Sequence, residues 1–288
     1  MAVEGRAGGV VIVTDSTACL PEDVVAEHSI AVVPLQVVVG ADALDEGTDA
    51  TRDRVEQALR SAEAVTTSRP APEAFAAAYR AAATAGADAV VSVHLSSRVS
   101  GTYASAVAAA NGVAIDVEVV DSEQIGLATG FAVLAAVEAR ARGADAAAVA
   151  DAARSRAGAC SSYFYVDTLE YLRRGGRVGA AAALFGAALA VKPLLTVRDG
   201  EVVQLEKVRT ATRALARIEE LAVAAAGAGP VDVGVQHLAA RPQAARLAQR
   251  LRDRLPQAGM VWEREVGAVL AAHVGPGAVA VVMSPRNG

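Results

Sequence analysis

Short unbroken apolar runs alternate along the first half of the chain with stretches of helical spacing. "GVVIVTDS" (9–16), "DAVVSVHL" (88–95) and "DVEVVDS" (116–122) each run apolar and end in polar residues. That is the pattern of a buried parallel strand with its exit loop. "PEDVVAEH" (21–28), "TRDRVEQALRSA" (51–62), "PEAFAAAYRAAATAG" (72–86), "TYASAVAAAN" (102–111) and the segments 126–142 and 145–157 predict helices. Pro72 suits a first helical turn and Gly86 a C-terminal stop. "AVVPLQVVVG" (31–40) predicts one further strand, with Pro34 marking its start or a sheet edge, and "TTSRPAPE" (66–73) predicts a loop.

Strands alternating with helices imply βαβ units around a parallel sheet, with ligands at the carboxyl ends of the strands. Three polar loops fall at such ends: "TDST" (14–17), "SSRVSG" (96–101) and "DSEQ" (121–124). Past residue 160 the pattern changes. "SSYFYVDTLEYLRRGGRVG" (161–179) predicts a strand and a short helix. "KPLLTVRDGEVVQLEKVRT" (192–210) predicts a hairpin about Asp199-Gly200, a pair suited to a tight turn. Further helices and strands follow, ending in "HVGPGAVAVVMS" (273–284). The expectation is an α/β protein of two α/β domains. Residues 1–159 would carry a mostly parallel sheet with flanking helices, and 160–288 a mixed sheet with helices.

Composition adds bounds. The chain has 288 residues, 53% hydrophobic, with only 3% aromatic residues. The core is therefore built from small aliphatic side chains. A formal net charge of −5 argues against a nucleic-acid-binding surface, which needs clustered positive charge. Cys19 and Cys160 offer neither metal spacing nor a disulfide framework. No N-terminal signal pattern is present, and the longest uncharged apolar run, 178–191, is shorter than the roughly 20 residues of a membrane span. A cytoplasmic protein is expected, without a metal or cofactor.

The hydroxyl-rich turn at 96–101 has two readings. Ser96, Ser97, Ser100 and Thr102 cap the following helix, or they hold an anion at its N-terminus. Gly101 permits close backbone approach, but no P-loop sequence is present. "VTTSRP" (65–70), a second hydroxyl cluster, is separated from the first by one helix and one strand, about the length that returns a chain to the same sheet edge. His273, among glycines and alanines, is either a structural imidazole or, with Thr66 and Ser97, part of a carboxylate site. "YLRRGGRV" (171–178) is either a solvated helix end or a cationic lip, to which Arg209 of "KVRT" is a candidate addition. A serine hydrolase acting on a lipid ester through Ser97 and His273 is the alternative, although the G-x-S-x-G elbow is absent.

Taken in order, "VTDSTACLP", "VVPLQVVVG", "TTSRP", "SSRVSGTYASA", "VVDSEQIGLATG", "YLRRGGRVG", "LAVKPLLTVRDGEVVQLEKVRT" and "AAHVGPGA" resemble the DegV family of bacterial fatty-acid-binding proteins, the acyl-carrying subunits of fatty acid kinase. The resemblance spans residues 13–278. It implies a long-chain fatty acid in a tunnel between the two domains. It also implies a carboxylate held by Thr66 or its neighbour Thr67, by Ser97 or its neighbour Ser96, and by His273. Arg177 and Arg209 match arginines of the surface that faces the separate ATP-dependent kinase. The protein itself would have no turnover; it would present the acyl group for acyl-phosphate formation in phospholipid synthesis, with transient membrane contact for lipid exchange. Two positions depart from the family pattern. Arg98 stands where Gly is usual, which makes it a possible extra head-group contact, and Arg69 replaces the usual Gln.

Overall fold

The computed structural model describes residues 9–61, 63–179 and 192–286. The apolar run 178–191 thus lies, from residue 180 onward, outside the described residues.

The first part of the chain runs β1 (Val10–Asp15), α1 (Glu22–Glu27), β2 (Ala31–Val33), β3 (Gln36–Val39), β4 (Asp42–Asp45), α2 (Asp49–Arg60), β5 (Val65–Ser68), α3 (Pro72–Thr84), β6 (Ala89–His94), α4 (Thr102–Ala110), β7 (Asp116–Asp121), α5 (Leu127–Ala141) and α6 (Ala146–Ala159). β2, β1, β6 and β7 form a parallel sheet in that order. Every residue of β6 is buried. Helices cover both faces: α3 and α4 pack around Phe75 and Tyr79 on one side, and α5 and α6 around Val133 and Val149 on the other. The strand order reverses between β1 and β6, so the exit loop of β6, "SSRVSG", stands at a topological switch point.

Two expectations fail here, both through pairing that is remote in sequence. "AVVPLQVVVG" is two strands, not one. Pro34 cannot donate to a ladder, and the chain turns there, with the Leu35 N–H donating to Ser16 Oγ at 2.9 Å. β2 stays at the edge of the parallel sheet, while β3 joins a small antiparallel sheet ordered β4-β3-β5. "TTS" is likewise not loop: Val65–Ser68 is β5, paired with β3 in the register Val38↔Thr66 and Val37↔Thr67.

The second part runs β8 (Ser161–Tyr165), α7 (Glu170–Arg174), β9 (Lys192–Arg198), β10 (Glu201–Val208), α8 (Ala211–Ala226), β11 (Val231–His237), α9 (Arg241–Arg254), β12 (Ala258–Glu265), α10 (Ala268–Val274) and β13 (Val279–Pro285). Its strands form one mixed sheet ordered β10-β9-β8-β13-β11-β12. Asp199 and Gly200, with φ of 50° and 77°, make the expected tight turn between β9 and β10. Among the described residues, every strand before Ala159 belongs to the first two sheets and every strand after it to the mixed sheet. The architecture is α/β, with a parallel and a mixed sheet.

Alternation along the mixed sheet decides what each face does. Val231, Val233 and Val235 of β11, with Val279, Val281 and Met283 of β13, pack against α8 and α9. The opposite face presents Ser162, Phe164, Gln236, Ala280 and Val282 toward the first part of the chain. α5 closes part of that face: Leu127 and Phe131 occupy the space a side chain at Gly234 would need, and Phe131 stacks on Trp262 with ring centroids 5.7 Å apart.

Candidate functional site

A cavity of about 240 Å³ lies between this face of the mixed sheet, the antiparallel sheet, α10 and the loops after β6 and β7. A single water needs only about 10–15 Å³. Most of the wall is aliphatic or aromatic, including Leu35, Leu95, Ile125, Phe164, Val269 and Leu270, and one region is polar, with Thr67, Arg69, Ser100, Gly101, Arg177 and His273. An elongated apolar ligand with a charged head matches that division.

Three remote segments build the polar region. β5 sends Thr67 inward, and Thr67 Oγ1 lies 2.8 Å from His273 Nε2 in the last turn of α10. The imidazole fits because Gly175, which follows α7, has no side chain; a Cβ there would overlap His273 Nδ1. His273 Nδ1 is buried and has no hydrogen-bond partner. Burial, and after it the Arg177 guanidinium, lowers the His273 pKa to about 4. The imidazole is therefore held in its neutral, hydrogen-bonding form near neutral pH. Arg177 Nε donates to the Val99 carbonyl at 2.9 Å and Nη1 to the Gly175 carbonyl at 2.5 Å. This half-buried arginine lines the cavity beside His273.

The turn after β6 divides its hydroxyls between structure and cavity. Ser96 is fully buried and donates to the Gly200 carbonyl at 2.7 Å, which locks the β9–β10 hairpin onto the turn. Ser97 is exposed and outside the cavity wall, with its backbone N–H on the Asp121 carboxylate. Ser100, 2.8 Å from Thr102 Oγ1, is the serine of this turn that lines the cavity. Arg98 pairs with Glu201 on the surface and does not line the cavity. Arg69 does line it and lies over Gly101, where a Cβ would come within 2.5 Å of its guanidinium.

Thr66, next to Thr67, points to the other face of β5 and is exposed. Arg209 is exposed just past the end of β10, seven residues along from the cavity-lining Val202. At roughly 3.3 Å per residue that is more than 20 Å from Val202 along the strand. Ser97, outside the cavity wall, does not join His273 in it; the partner of His273 is Thr67. An acid-imidazole-hydroxyl chain does occur elsewhere, where Asp15 Oδ2 lies 3.0 Å from His94 Nδ1 and His94 Nε2 lies 2.7 Å from Ser92 Oγ. All three residues are fully buried and Tyr79 also bonds Ser92, so this chain holds β1 and β6 together with no approach for a substrate. Among the described residues no cluster of His, Cys, Asp or Glu is able to hold a metal ion, and no helix is long and apolar enough to cross a membrane.

Residues 9–286 match the family described as "Uncharacterised protein, DegV family". The chain belongs to the DegV family. It is 53% identical over 277 residues to a DegV domain-containing protein of Streptomyces coelicolor, covering 96% of this chain and 99% of that one. It is 36% identical to the DegV protein of Bacillus subtilis, covering 94% and 98%. Among solved structures it is similar to a DegV family protein of Thermus thermophilus, described by its fatty acid binding, with a TM-score of 0.91, 33% identity and coverage of 96% and 100%. The structure of DegV from Bacillus subtilis, described as a fatty acid binding protein, superposes with a TM-score of 0.89 at 34% identity, covering 97% and 100%.

The sequence does not single out several residues of the site: Ser162 and Gln236 line the cavity from the mixed sheet, and Gly175, readable only as a helix stop, makes room for His273. A signal existed for Gln236 alone, as the one uncharged amide inside the apolar run "VDVGVQH".

Proposed function

We propose that this chain binds a long-chain fatty acid in the cavity between its two parts, taken as domains 1–159 and 160–288, with the carboxylate in the region of Thr67, Ser100, Arg177 and His273. The observation that carries the reading is the joining of one mostly apolar cavity to one cluster of donors. Each buried methylene contributes about 0.8 kcal/mol, so the chain supplies most of the affinity. A buried carboxylate is costly unless several donors meet it, which is the role of the hydroxyls, the imidazole and the guanidinium. The fatty acid binding described for the Thermus thermophilus and Bacillus subtilis proteins supports the same ligand class.

The protein would act as a carrier without turnover of its own and present the carboxylate to a separate ATP-dependent kinase for acyl-phosphate formation, in the cytoplasm and with brief membrane contact for loading. Arg69, exposed at the head-group region with no ion pair among the described residues, is available to a phosphate or to a kinase surface. Native mass spectrometry of protein purified from its host tests the ligand, and a retained long-chain acid is expected. An empty cavity together with failure of fluorescent fatty acids to bind overturns the reading. Release of acyl phosphate only when a kinase and ATP are added tests the carrier role.

A further inference from the structure

α10 carries the imidazole of the head-group region, and its position is set from outside the cavity. Gly267 precedes the helix and supplies no side-chain cap. The Val269 N–H is one of the first-turn groups that a helix leaves without a partner. It donates to Glu46 Oε1 at 2.7 Å, across 223 residues of sequence. Gly267 leaves the space for this, since a Cβ there would overlap Glu46 Oε1. Glu46 is buried, at 8% exposure, and does not line the cavity. Burial raises its pKa, as expected of an acid held out of water. A buried carboxyl is a costly helix cap. What it adds over a short capping side chain at residue 267 is a link to another part of the fold.

Val269 and His273 lie four residues apart, so they share one face of α10, about 6 Å apart along its axis, and both line the cavity. Glu46 holds the helix at the Val269 N–H, and Thr67 meets it at His273. Both partners stand on one frame. Glu46 directly follows β4, and its N–H donates to the carbonyl of Leu35, next to β3, at 2.8 Å. Thr67 lies in β5, on the other side of β3. α10 packs against β3, β5 and α2. We propose that Glu46 is a positioning residue of the fatty-acid site: it accepts the Val269 N–H, fixes where α10 starts, and through the helix holds His273 opposite Thr67. The inference rests on the fatty-acid reading and adds to it a residue that touches no ligand.

The test on the full chain combines titration with a fluorescent long-chain fatty acid, NMR titration of His273 in ligand-free protein, and thermal melting. Glu46→Ala removes the cap. Affinity should fall about three- to tenfold, the factor by which loss of one cap shifts a helix between two positions. The His273 titration should move up from about 4 as the imidazole leaves its buried place. Glu46→Gln keeps an acceptor oxygen at the same reach and should hold both readouts near wild type. Gly267→Ala, whose φ of −67° suits alanine, should displace the carboxylate and reproduce both effects with Glu46 intact, so the test survives if Glu46→Ala fails to fold. A role in stability alone would lower the melting temperature and leave the affinity and the His273 titration of the folded protein unchanged. That result, or a change in only one of the two, overturns the inference, and so does a loss in Glu46→Gln equal to that in Glu46→Ala. If the wild-type protein binds no fatty acid, the fatty-acid reading falls and this inference with it; if it binds and the variants bind as tightly, the inference alone falls.

Discussion

Arg177 Nε donates to the Val99 carbonyl at 2.9 Å, so the loop after α7 is tied to the turn after β6 across the mouth of the polar region. The same guanidinium lowers the His273 pKa, second only to burial. Arg177→Ala should weaken fatty-acid binding, by about 1.5–3 kcal/mol if the guanidinium meets the carboxylate. It should also move the His273 titration up from about 4, while burial keeps it below 6.5. NMR titration of the imidazole beside a fluorescent-lipid assay reads both effects. An unchanged His273 titration would show that the imidazole does not feel the guanidinium.

Thr66 and Thr67 are adjacent but face opposite ways on β5. Thr67→Val removes the hydroxyl 2.8 Å from His273 Nε2 and should cost about 1 kcal/mol or more of ligand affinity. Thr66→Val, on an exposed position, should stay within about 0.5 kcal/mol of wild type. Equal losses in the two variants would contradict the placement of the head group.

That pair also shows where the sequence is readable. Short unbroken apolar runs reveal β1, β6 and β7, and helical spacing reveals the main helices, because burial writes itself locally into residue order. Asp199-Gly200 marks its hairpin through backbone geometry alone. Which of two neighbouring threonines faces inward is a matter of register, and the register of β5 comes from β3, near residue 38. The division of labour in "SSRVSG" is hidden for a similar reason: Ser96 is recruited by Gly200, 104 residues away. Ser100 remains for the cavity.

Gly200 has φ of +77° and a Cβ there would lie 2.5 Å from Ser96 Oγ. Gly200→Ala therefore adds backbone strain and breaks the contact between hairpin and turn. We expect a loss of roughly 1–3 kcal/mol in urea unfolding. Ser96→Ala, which leaves the Gly200 carbonyl without its donor, should lose about 1–2 kcal/mol. The double variant should lose less than the sum, since both act on one contact. Full additivity would mean that the contact contributes nothing.

His273 stays neutral in the folded protein down to about pH 4, whereas its ordinary value is 6.5. Between those values the unfolded chain binds the extra proton, so stability falls as pH drops from 6.5 toward 4 and this contribution is flat above 6.5. His273→Gln should remove that part of the slope. His237, also lowered by burial, remains in both proteins and cancels in the difference. Urea midpoints measured from pH 4 to 8 settle the point, and identical slopes would mean that His273 is not held neutral. Ligand affinity should show no step from His273 between pH 6.5 and 8 unless the bound carboxylate raises its pKa into that range.

Gly175 and Gly176 are neighbours whose replacement should fail in different ways. Gly175 has an ordinary φ of −73°, so alanine fits its backbone, but the new Cβ would overlap His273 Nδ1. The imidazole must then swing away from Thr67. Gly176 has φ of +70° and open space around its missing Cβ, so alanine there strains the backbone and touches no part of the site. Gly175→Ala should therefore lose ligand affinity by an amount similar to Thr67→Val combined with loss of the imidazole contact, roughly tenfold or more, with a melting temperature close to wild type. Gly176→Ala should lower the melting temperature, by about 1 kcal/mol of stability or somewhat more, and leave affinity near wild type. The discriminating measurement is thermal melting beside lipid titration on both variants. If Gly175→Ala binds as wild type does, His273 has room to move without consequence, and the Thr67–His273 pair is not where the carboxylate is held.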